Sequence, residues 1–288
     1  MLAKRMSNTI RIIPRLDIKG PNLVKGVHLE GLRVLGKPEM FAKYYYEQGA
    51  DELIYMDVVA SLYERNSLKD IITKTASEIF IPLTVGGGLR SIQDITNVLR
   101  AGADKVALNT SAIKNNELIK QASEKFGSST IVVAIETIKQ EDGKYLCYTD
   151  NGREYTGIEA IEWAQKAEEL GAGEILLTSV DREGTGLGYD IGLLNRISTK
   201  VNISVVAHGG ASNSLNVAEA IVKGGASACA ISSILHYDAL KNYFKEIQSG
   251  SEGNTEFLKS GRDFSKIETC NLPKLKKNLS QQGIKVRM

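Results

Sequence analysis

The second half of this chain repeats the first, and the repeated segments carry the residues with chemistry. TVGGGLRSIQDITNVLRAGADKVALNTSAI aligns with VAHGGASNSLNVAEAIVKGGASACAISSIL. Gly87 falls on Gly209, Gly88 on Gly210, Gly102 on Gly224 and Thr110 on Ser232, all at an offset of 122 (209 − 87). Glu52 falls on Glu174 at the same offset, and Asp17 falls on Glu136 at an offset of 119 (136 − 17). A repeat of about 120 residues is too long for a solenoid unit and suits a duplicated half-domain. Each half offers one acid and one double-glycine turn. That predicts a pseudo-twofold site with two carboxylates at its centre and an anion cradle on each side.

Short apolar runs alternate with amphipathic segments along most of the sequence. IRIIPRLD, ELIYMDV, PLTVGG, KVALNT, TIVVAIE, EILLTSVD, SVVAHGG and ACAISS read as strands buried on both faces, because they are continuous and apolar rather than alternating. MFAKYYYEQG, LKDIITKTASEI, IQDITNVLRAG, ELIKQASEKFG, GIEAIEWAQKAEELG, IGLLNRISTK and SLNVAEAIVKGG read as helices, several of them ending in a glycine C-cap. Strands alternating with helices imply right-handed crossovers and a parallel sheet. Eight strands with a half-chain repeat favour a single closed (β/α)8 TIM barrel over residues 1–288. A dinucleotide-binding sheet is a poor alternative, since GGGLRS lacks that motif's glycine spacing. Two stretches depart from the simple unit: an inserted hairpin near 139–156 and a polar excursion near 248–270.

Composition excludes several classes of function. With 36 basic against 34 acidic residues, the chain lacks the concentrated positive charge of a nucleic-acid surface. The locally basic tail KLKKNLSQQGIKVRM reads as a solvated helix face. No window approaches a membrane span, and the N-terminus has no apolar core of a signal peptide. Cys147, Cys229 and Cys270 have neither metal-ligand nor disulfide spacing, and a reducing cytoplasm is the expectation. No metal and no cofactor are expected.

In such a barrel the reacting groups stand at the C-terminal ends of the strands. Asp17, Asp57, Asn109, Thr110, Glu136, Thr178, Ser179, Asp181, His208 and Ser232 all end apolar runs. A buried strand has no structural need for a carboxylate at its tip, so Asp17 and Glu136 are the candidate acid and base. Gly87-Gly88 and Gly209-Gly210 end a strand and precede a helix, where backbone N–H groups free of Cβ atoms can approach an anion. Thr110 and Ser232 would add hydroxyl donors. Tight turn packing is the other reading of these glycines. Lys25 falls in a loop able to close over the mouth, gripping a phosphate or simply solvated. At the opposite face, Arg11, Glu52, Lys105 and Glu174 start their strands and would ring the barrel's base, either as a gate or as a stabilising rim. His28 and His236 look incidental.

RIIPRLDIKG, LVKG, DELIYMDVVAS, PLTVGGGL, GADKVALNTSAI, GAGEILLTSVDREGTGLGYD and GGAS together resemble the cyclase subunit of imidazole glycerol phosphate synthase over nearly the whole chain. The resemblance implies a barrel of histidine biosynthesis paired with a glutaminase subunit. Ammonia released by the glutaminase passes up the barrel and reacts with a bisphosphorylated ribulosyl formimino carboxamide nucleotide, PRFAR. The products are imidazole glycerol phosphate and the carboxamide nucleotide AICAR.

On the same resemblance, Asp17 and Glu136 stand at the catalytic positions. Lys25, Gly87, Gly88, Asn109, Thr110, Thr178, Gly184, His208, Gly209, Gly210, Ser232 and Ser233 form the substrate- and phosphate-binding set. Arg11, Glu52, Lys105 and Glu174 match an ammonia gate, and Asp104 lies where the glutaminase docks. The chain departs from the pattern at several places. Glu136 replaces an Asp, Glu183 replaces an Asp, His208 replaces a small residue, and Arg15 stands where a small residue is usual and would point into the barrel wall. These departures lie at the substrate end. They keep open an alternative, an ammonia-channelling paralogue that amidates a nucleotide sugar for surface glycans.

Overall fold

A computed structural model describes residues 9–60, 68–244 and 266–288. Its strands are β1 (Arg11–Lys19), β2 (Asn22–Val27), β3 (Glu30–Gly36), β4 (Leu53–Asp57), β5 (Leu83–Gly86), β6 (Lys105–Leu108), β7 (Ile131–Lys139), β8 (Tyr145–Thr149), β9 (Glu154–Glu159), β10 (Glu174–Ser179), β11 (Ser204–His208) and β12 (Ala228–Ile231). Its helices are α1 (Pro38–Glu47), α2 (Lys69–Ala76), α3 (Ile92–Arg100), α4 (Thr110–Lys114), α5 (Glu117–Phe126), α6 (Ala160–Glu169), α7 (Ile191–Ser198), α8 (Ser214–Val222), α9 (Ser233–Asn242) and α10 (Leu272–Gln281).

Eight of the strands run parallel in the order β10-β11-β12-β1-β4-β5-β6-β7, and β7 pairs with β10 to close the circle. This is a (β/α)8 barrel, and each of the eight is one of the apolar runs of the sequence. The other four strands form two antiparallel ribbons that rise from the mouth. β2 and β3 continue from β1, a segment the sequence reading treated as a loop. β8 and β9 continue from β7 within the TIKQEDGKYLCYTDNGREYTG segment. Most of the polar stretch near 248–270 lies outside the described residues. Its end approaches the barrel, where the Glu268 amide donates to the Ser212 carbonyl at 2.9 Å. No helix among the described residues is long and apolar enough to cross a membrane.

The period of two along each barrel strand sorts its side chains into two cores. On β1, Ile12, Leu16 and Ile18 pack outward with the helices, while Ile13 joins Ile54, Met56, Ala107, Val132, Ala134, Leu176, Val206 and Ala228 inside the barrel. Arg11, Arg15 and Asp17 share the parity of Ile13, so β1 carries a line of inward residues from base to mouth. Arg15 therefore occupies the barrel interior rather than its wall, which corrects the expectation from sequence.

The basic tail is also less solvated than its composition suggests. α10 buries Leu272, Leu275, Lys276 and Leu279. The Lys276 ammonium, 3 % exposed, reaches the Asp51 carboxylate at 2.9 Å and the Gly49 carbonyl at 2.7 Å. The other Asp51 oxygen accepts the Ile12 amide at 2.7 Å, so the closing helix is tied to the first strand. Removing one partner of a buried ion pair leaves the other charge without compensation. Lys276→Met is expected to cost about 3–5 kcal/mol in urea unfolding. A loss below about 1 kcal/mol would contradict this role for the pair.

Candidate active site

The base of the barrel is closed by charge. Arg11 donates to Glu52 at 2.8 Å and to Glu174 at shorter range, and Lys105 bridges the same two carboxylates at 3.1 and 3.2 Å. Burial by itself would lower the Arg11 pKa, but the carboxylates of Glu174 and Glu52 outweigh it and hold the guanidinium above its ordinary value. Asp104 is exposed beside this ring and accepts the Leu83 amide at 2.8 Å. It borders a hollow of about 360 Å³ that also includes Phe80, whose side chain is 81 % exposed.

Above the ring comes an apolar layer of Ile13, Ile54, Val132, Leu176, Val206 and Ala228, and above that a polar one. Arg15 donates from Nε to Asp17 at 2.9 Å and from one terminal nitrogen to Thr178 at 3.2 Å and His208 Nδ1 at 3.0 Å. A guanidinium has no acceptor, so His208 Nδ1 accepts and its ring proton sits on Nε2. Burial, then the charges of Arg15 and Lys25, push the His208 pKa well below its ordinary value and keep the ring neutral.

Glu136 completes the polar layer. Its Oε2 accepts the Gly152 amide at 2.8 Å. Burial raises its pKa to about 7, against the lowering effects of Arg15 and the Gly152 bond and with smaller raising contributions from Asp17 and Asp150. An acid poised near neutrality can give and take a proton at the pH where the chain works.

The two double-glycine turns differ. Beside Gly87-Gly88 lies a cavity of about 260 Å³ that Arg15, Asp57, Asn109, Thr110, Lys114 and Glu136 help to line. Beside Gly209-Gly210 the space is about 20 Å³, bounded by Lys25, Glu183, Gly184, His208, Ser232 and Ser233. In both turns neighbouring backbone already demands glycine. A Cβ on Gly87 would stand 2.4 Å from the Asp57 carbonyl, and one on Gly210 would stand 2.2 Å from that of Gly188. Turn packing thus accounts for the glycines whether or not an anion binds.

The helices that follow these turns also cap themselves. Asp94 and Ser91 form a capping box on α3, and Asn213 caps α8. By contrast α4 and α9, which begin at Thr110 and Ser233 and form the other symmetric pair at the mouth, have no side-chain cap. Their amides are the better anion donors. The hydroxyls expected to assist have other partners. Thr110 Oγ1 accepts the Asp150 amide at 3.1 Å, and Ser232 donates to the Arg15 carbonyl at 2.8 Å.

Lys25 is not solvated. It lies on β2, 2 % exposed, in an ion pair with Glu183. Glu183 also accepts the Leu29 amide at 3.0 Å, and Asn151 donates to the Leu29 carbonyl at 2.9 Å. The β2–β3 ribbon is thereby pinned across the second cradle. His28 and Leu29, and Asp150 and Asn151 in the β8–β9 turn opposite, adopt left-handed backbone with φ of 52–63°. Asp and Asn tolerate that conformation, whereas a leucine such as Leu29 takes it only where the surroundings enforce it. Loss of the Glu183 charge should free the ribbon. Glu183→Gln is expected to speed hydrogen exchange at the Leu29 amide by roughly tenfold or more, because a buried charge pair is broken. An unchanged rate would mean that the ribbon is held by its other contacts.

Sequence reasoning missed Asp150, Asn151 and Lys114 at the first cavity. The signal for the first two was present: Asp-Asn-Gly in YTDNGREY is a run of residues that tolerate positive φ, the mark of a tight turn. His236 is not incidental either. It is fully buried, accepts from the Tyr45 hydroxyl at 2.6 Å and donates to the Arg15 carbonyl at 3.0 Å. Burial, with Lys25 next, lowers its pKa to about 3, so it is a neutral support for Arg15.

Comparison with known proteins gives this geometry its context. Residues 11–241 match the family model described as histidine biosynthesis protein. The chain is 57 % identical over 205 residues to the imidazole glycerol phosphate synthase subunit HisF of Legionella pneumophila, covering 71 % of this chain and 96 % of the relative. It is 49 % identical over 248 residues to the protein of the same name from Methanocaldococcus jannaschii, covering 80 % and 91 %. The corresponding protein of Alkaliphilus metalliredigens is 46 % identical over 230 residues, with the same coverage. The chain belongs to the histidine biosynthesis protein family, among its imidazole glycerol phosphate synthase HisF subunits.

Proposed function

We propose that this chain is the cyclase subunit of an imidazole glycerol phosphate synthase, using ammonia to convert PRFAR to imidazole glycerol phosphate and AICAR. The observation that carries the reading is the inward line along β1. It runs from the charged base past apolar Ile13 to Arg15 and Asp17, with the second buried acid, Glu136, close by on β7, a route suited to a small neutral nucleophile. The base, with Arg11, Glu52, Lys105 and Glu174 at its centre and Asp104 and Phe80 beside them, is where a glutaminase subunit would dock and release ammonia. The partner completes a heterodimer, and the reducing cytoplasm fits three free, buried cysteines.

The chemistry balances as PRFAR plus ammonia giving imidazole glycerol phosphate, AICAR and water. Ammonia nitrogen bonds to the ribulosyl carbonyl carbon, whose oxygen leaves as water after taking protons. The same nitrogen closes the ring on the formimino carbon. The bond from that carbon to the nitrogen of the carboxamide nucleotide breaks, and the released nitrogen takes a proton. Glu136 and Asp17 stand where these protons move. One phosphate of the substrate would sit by Gly87, Gly88, Asn109 and Thr110 against α4. The other would meet Gly184, Gly209, Gly210, Ser232 and Ser233 against α9 once Lys25 and the ribbon yield. Lys25 then has a phosphate to exchange for Glu183.

The relatives described above all bear the synthase name, so the sugar-amidation reading is not favoured. Purified chain with ammonium salt at alkaline pH should consume PRFAR and release AICAR. No turnover at saturating ammonia would overturn the proposal.

A further inference from the structure

The least expected side chain inside the barrel is a cation. Arg15 is 1 % exposed and stands directly above an interior layer built from Ile, Val, Leu and Ala. A guanidinium there loses its hydration, and an apolar side chain of similar volume would suit a purely structural interior at least as well. Its placement is nonetheless fixed from both ends. The backbone carbonyl accepts from Ser232 at 2.8 Å and His236 at 3.0 Å, and His236 is held in turn by Tyr45. The head group is held by Thr178 at 3.2 Å and by neutral His208 at 3.0 Å, and it donates to Asp17 at 2.9 Å.

Glu136 lies beside it. Thr178 is the register partner of Glu136 across β10 and β7, and Arg15 and Glu136 line the same cavity. Glu136 takes a backbone amide as its hydrogen-bond donor, not the guanidinium. The two acids of the repeat are therefore unlike: one is bonded to a buried cation and the other is only near it.

Resting on the proposed cyclase activity, we propose that Arg15 is a positioning residue that divides the work between the two acids, pairing with Asp17 so that it acts as a fixed anion and leaving Glu136 to carry the proton. The ion pair with Arg15 holds the Asp17 carboxylate in place to face the cationic nitrogen formed as ammonia adds. Glu136 passes a proton to the departing nitrogen and regains one from the ammonia-derived nitrogen as the ring closes, so the site ends the cycle in the protonation state in which it began. The groups that face Glu136 are Arg15 and Asp17 from β1 and Asp150 from the β8–β9 turn. Asp57, Arg90 and Lys114 stand further around the cavity. Arg15 is the cation that acts on Glu136, and its charge favours ionisation there.

The test compares wild type, Arg15→Lys and Arg15→Met in PRFAR turnover with ammonium salt, from pH 5.5 to 9. It also follows the Glu136 carboxyl by carbon-13 NMR in the protein without substrate. Arg15→Met should lower kcat by about 100-fold and move the Glu136 titration up by roughly one pH unit or more, with KM changed less than about threefold. Arg15→Lys keeps the charge but not the fork of hydrogen bonds, so it should hold the titration within about half a unit while kcat stays depressed. A rise in KM with kcat and titration unmoved would make Arg15 a substrate-binding group and overturn the proposal. So would an Arg15→Met titration that coincides with wild type. If Arg15→Met does not fold, the lysine variant decides: kcat within twofold of wild type overturns the proposal. The NMR reading needs no substrate, so wild type that fails to turn over PRFAR while the titrations behave as described defeats the cyclase assignment alone.

Discussion

Replacing Asp17 with Asn should reduce ammonia-driven turnover by about a thousandfold, the range expected when a preorganised charge that stabilises a developing opposite charge is lost from a closed site. Asp17 is 3 % exposed, and its carboxylate accepts from the Arg15 guanidinium at 2.9 Å. The amide keeps the shape but removes the negative charge, so a buried arginine is left without its counter-ion and the mouth becomes more positive. Any cationic intermediate formed from ammonia loses its stabilising partner. Some stability is lost as well, because half of a buried pair remains. The ring of Arg11, Glu52, Lys105 and Glu174 lies at the opposite end of the barrel and should be unaffected. Binding of a glutaminase, measured by titration calorimetry, should therefore survive. Turnover within about tenfold of wild type would remove Asp17 from the mechanism.

Glu136→Gln should make the protein more stable and less active. In the fold the Glu136 carboxyl titrates at about 7, against an ordinary value of 4.5, chiefly because it is buried. The sign follows from which state holds the proton. Below the ordinary value both folded and unfolded chains are protonated, and nothing is lost. Between the two values the folded chain keeps a proton that the unfolded chain has released, so stability falls as pH rises. Above both values the whole deficit stands, about 3 kcal/mol for a shift of this size. Glutamine removes the charge and can still accept the Gly152 amide. At pH 8 Glu136→Gln should thus unfold in urea with about 3 kcal/mol more stability than wild type, and at pH 4.5 with little difference. Turnover should fall by about 100-fold or more. Equal stability at pH 8 would show that Glu136 ionises freely in the fold. Glu136→Asp should keep much of the activity if a shorter acid still reaches the substrate, and a large loss would show that the extra methylene is required.

The barrel itself was legible because its physics is local. Short, β-branched apolar runs such as TIVVAIE and SVVAHGG, bounded by turn residues, suit strands covered on both faces, and the amphipathic segments between them suit crossovers. The two antiparallel ribbons were harder. NLVKG and GLRVLG are short and interrupted by glycine, and their pairing depends on contacts across the mouth. The parity of β1 also encodes the place of Arg15. Arg11, Ile13, Arg15 and Asp17 sit two apart, which puts Arg15 inside with Asp17 once Asp17 is taken to face the site. Charged partners were the least legible feature. Nothing in the spacing links Lys25 to Glu183 or Lys276 to Asp51, because such pairs form between segments far apart in the chain. The half-chain symmetry also hid an asymmetry. Gly87 and Gly209 occupy matching turns, yet one turn borders an open cavity and the other lies beneath a pinned ribbon.

The most direct test of the whole account uses nitrogen-15 ammonium as the only ammonia source, with purified chain and PRFAR. The products are separated and their mass read. A single heavy nitrogen should appear in the imidazole ring of imidazole glycerol phosphate, with none in AICAR and one AICAR formed for each imidazole. Heavy nitrogen in AICAR, or PRFAR recovered intact at saturating ammonium, would contradict an ammonia-using cyclase built on Asp17 and Glu136.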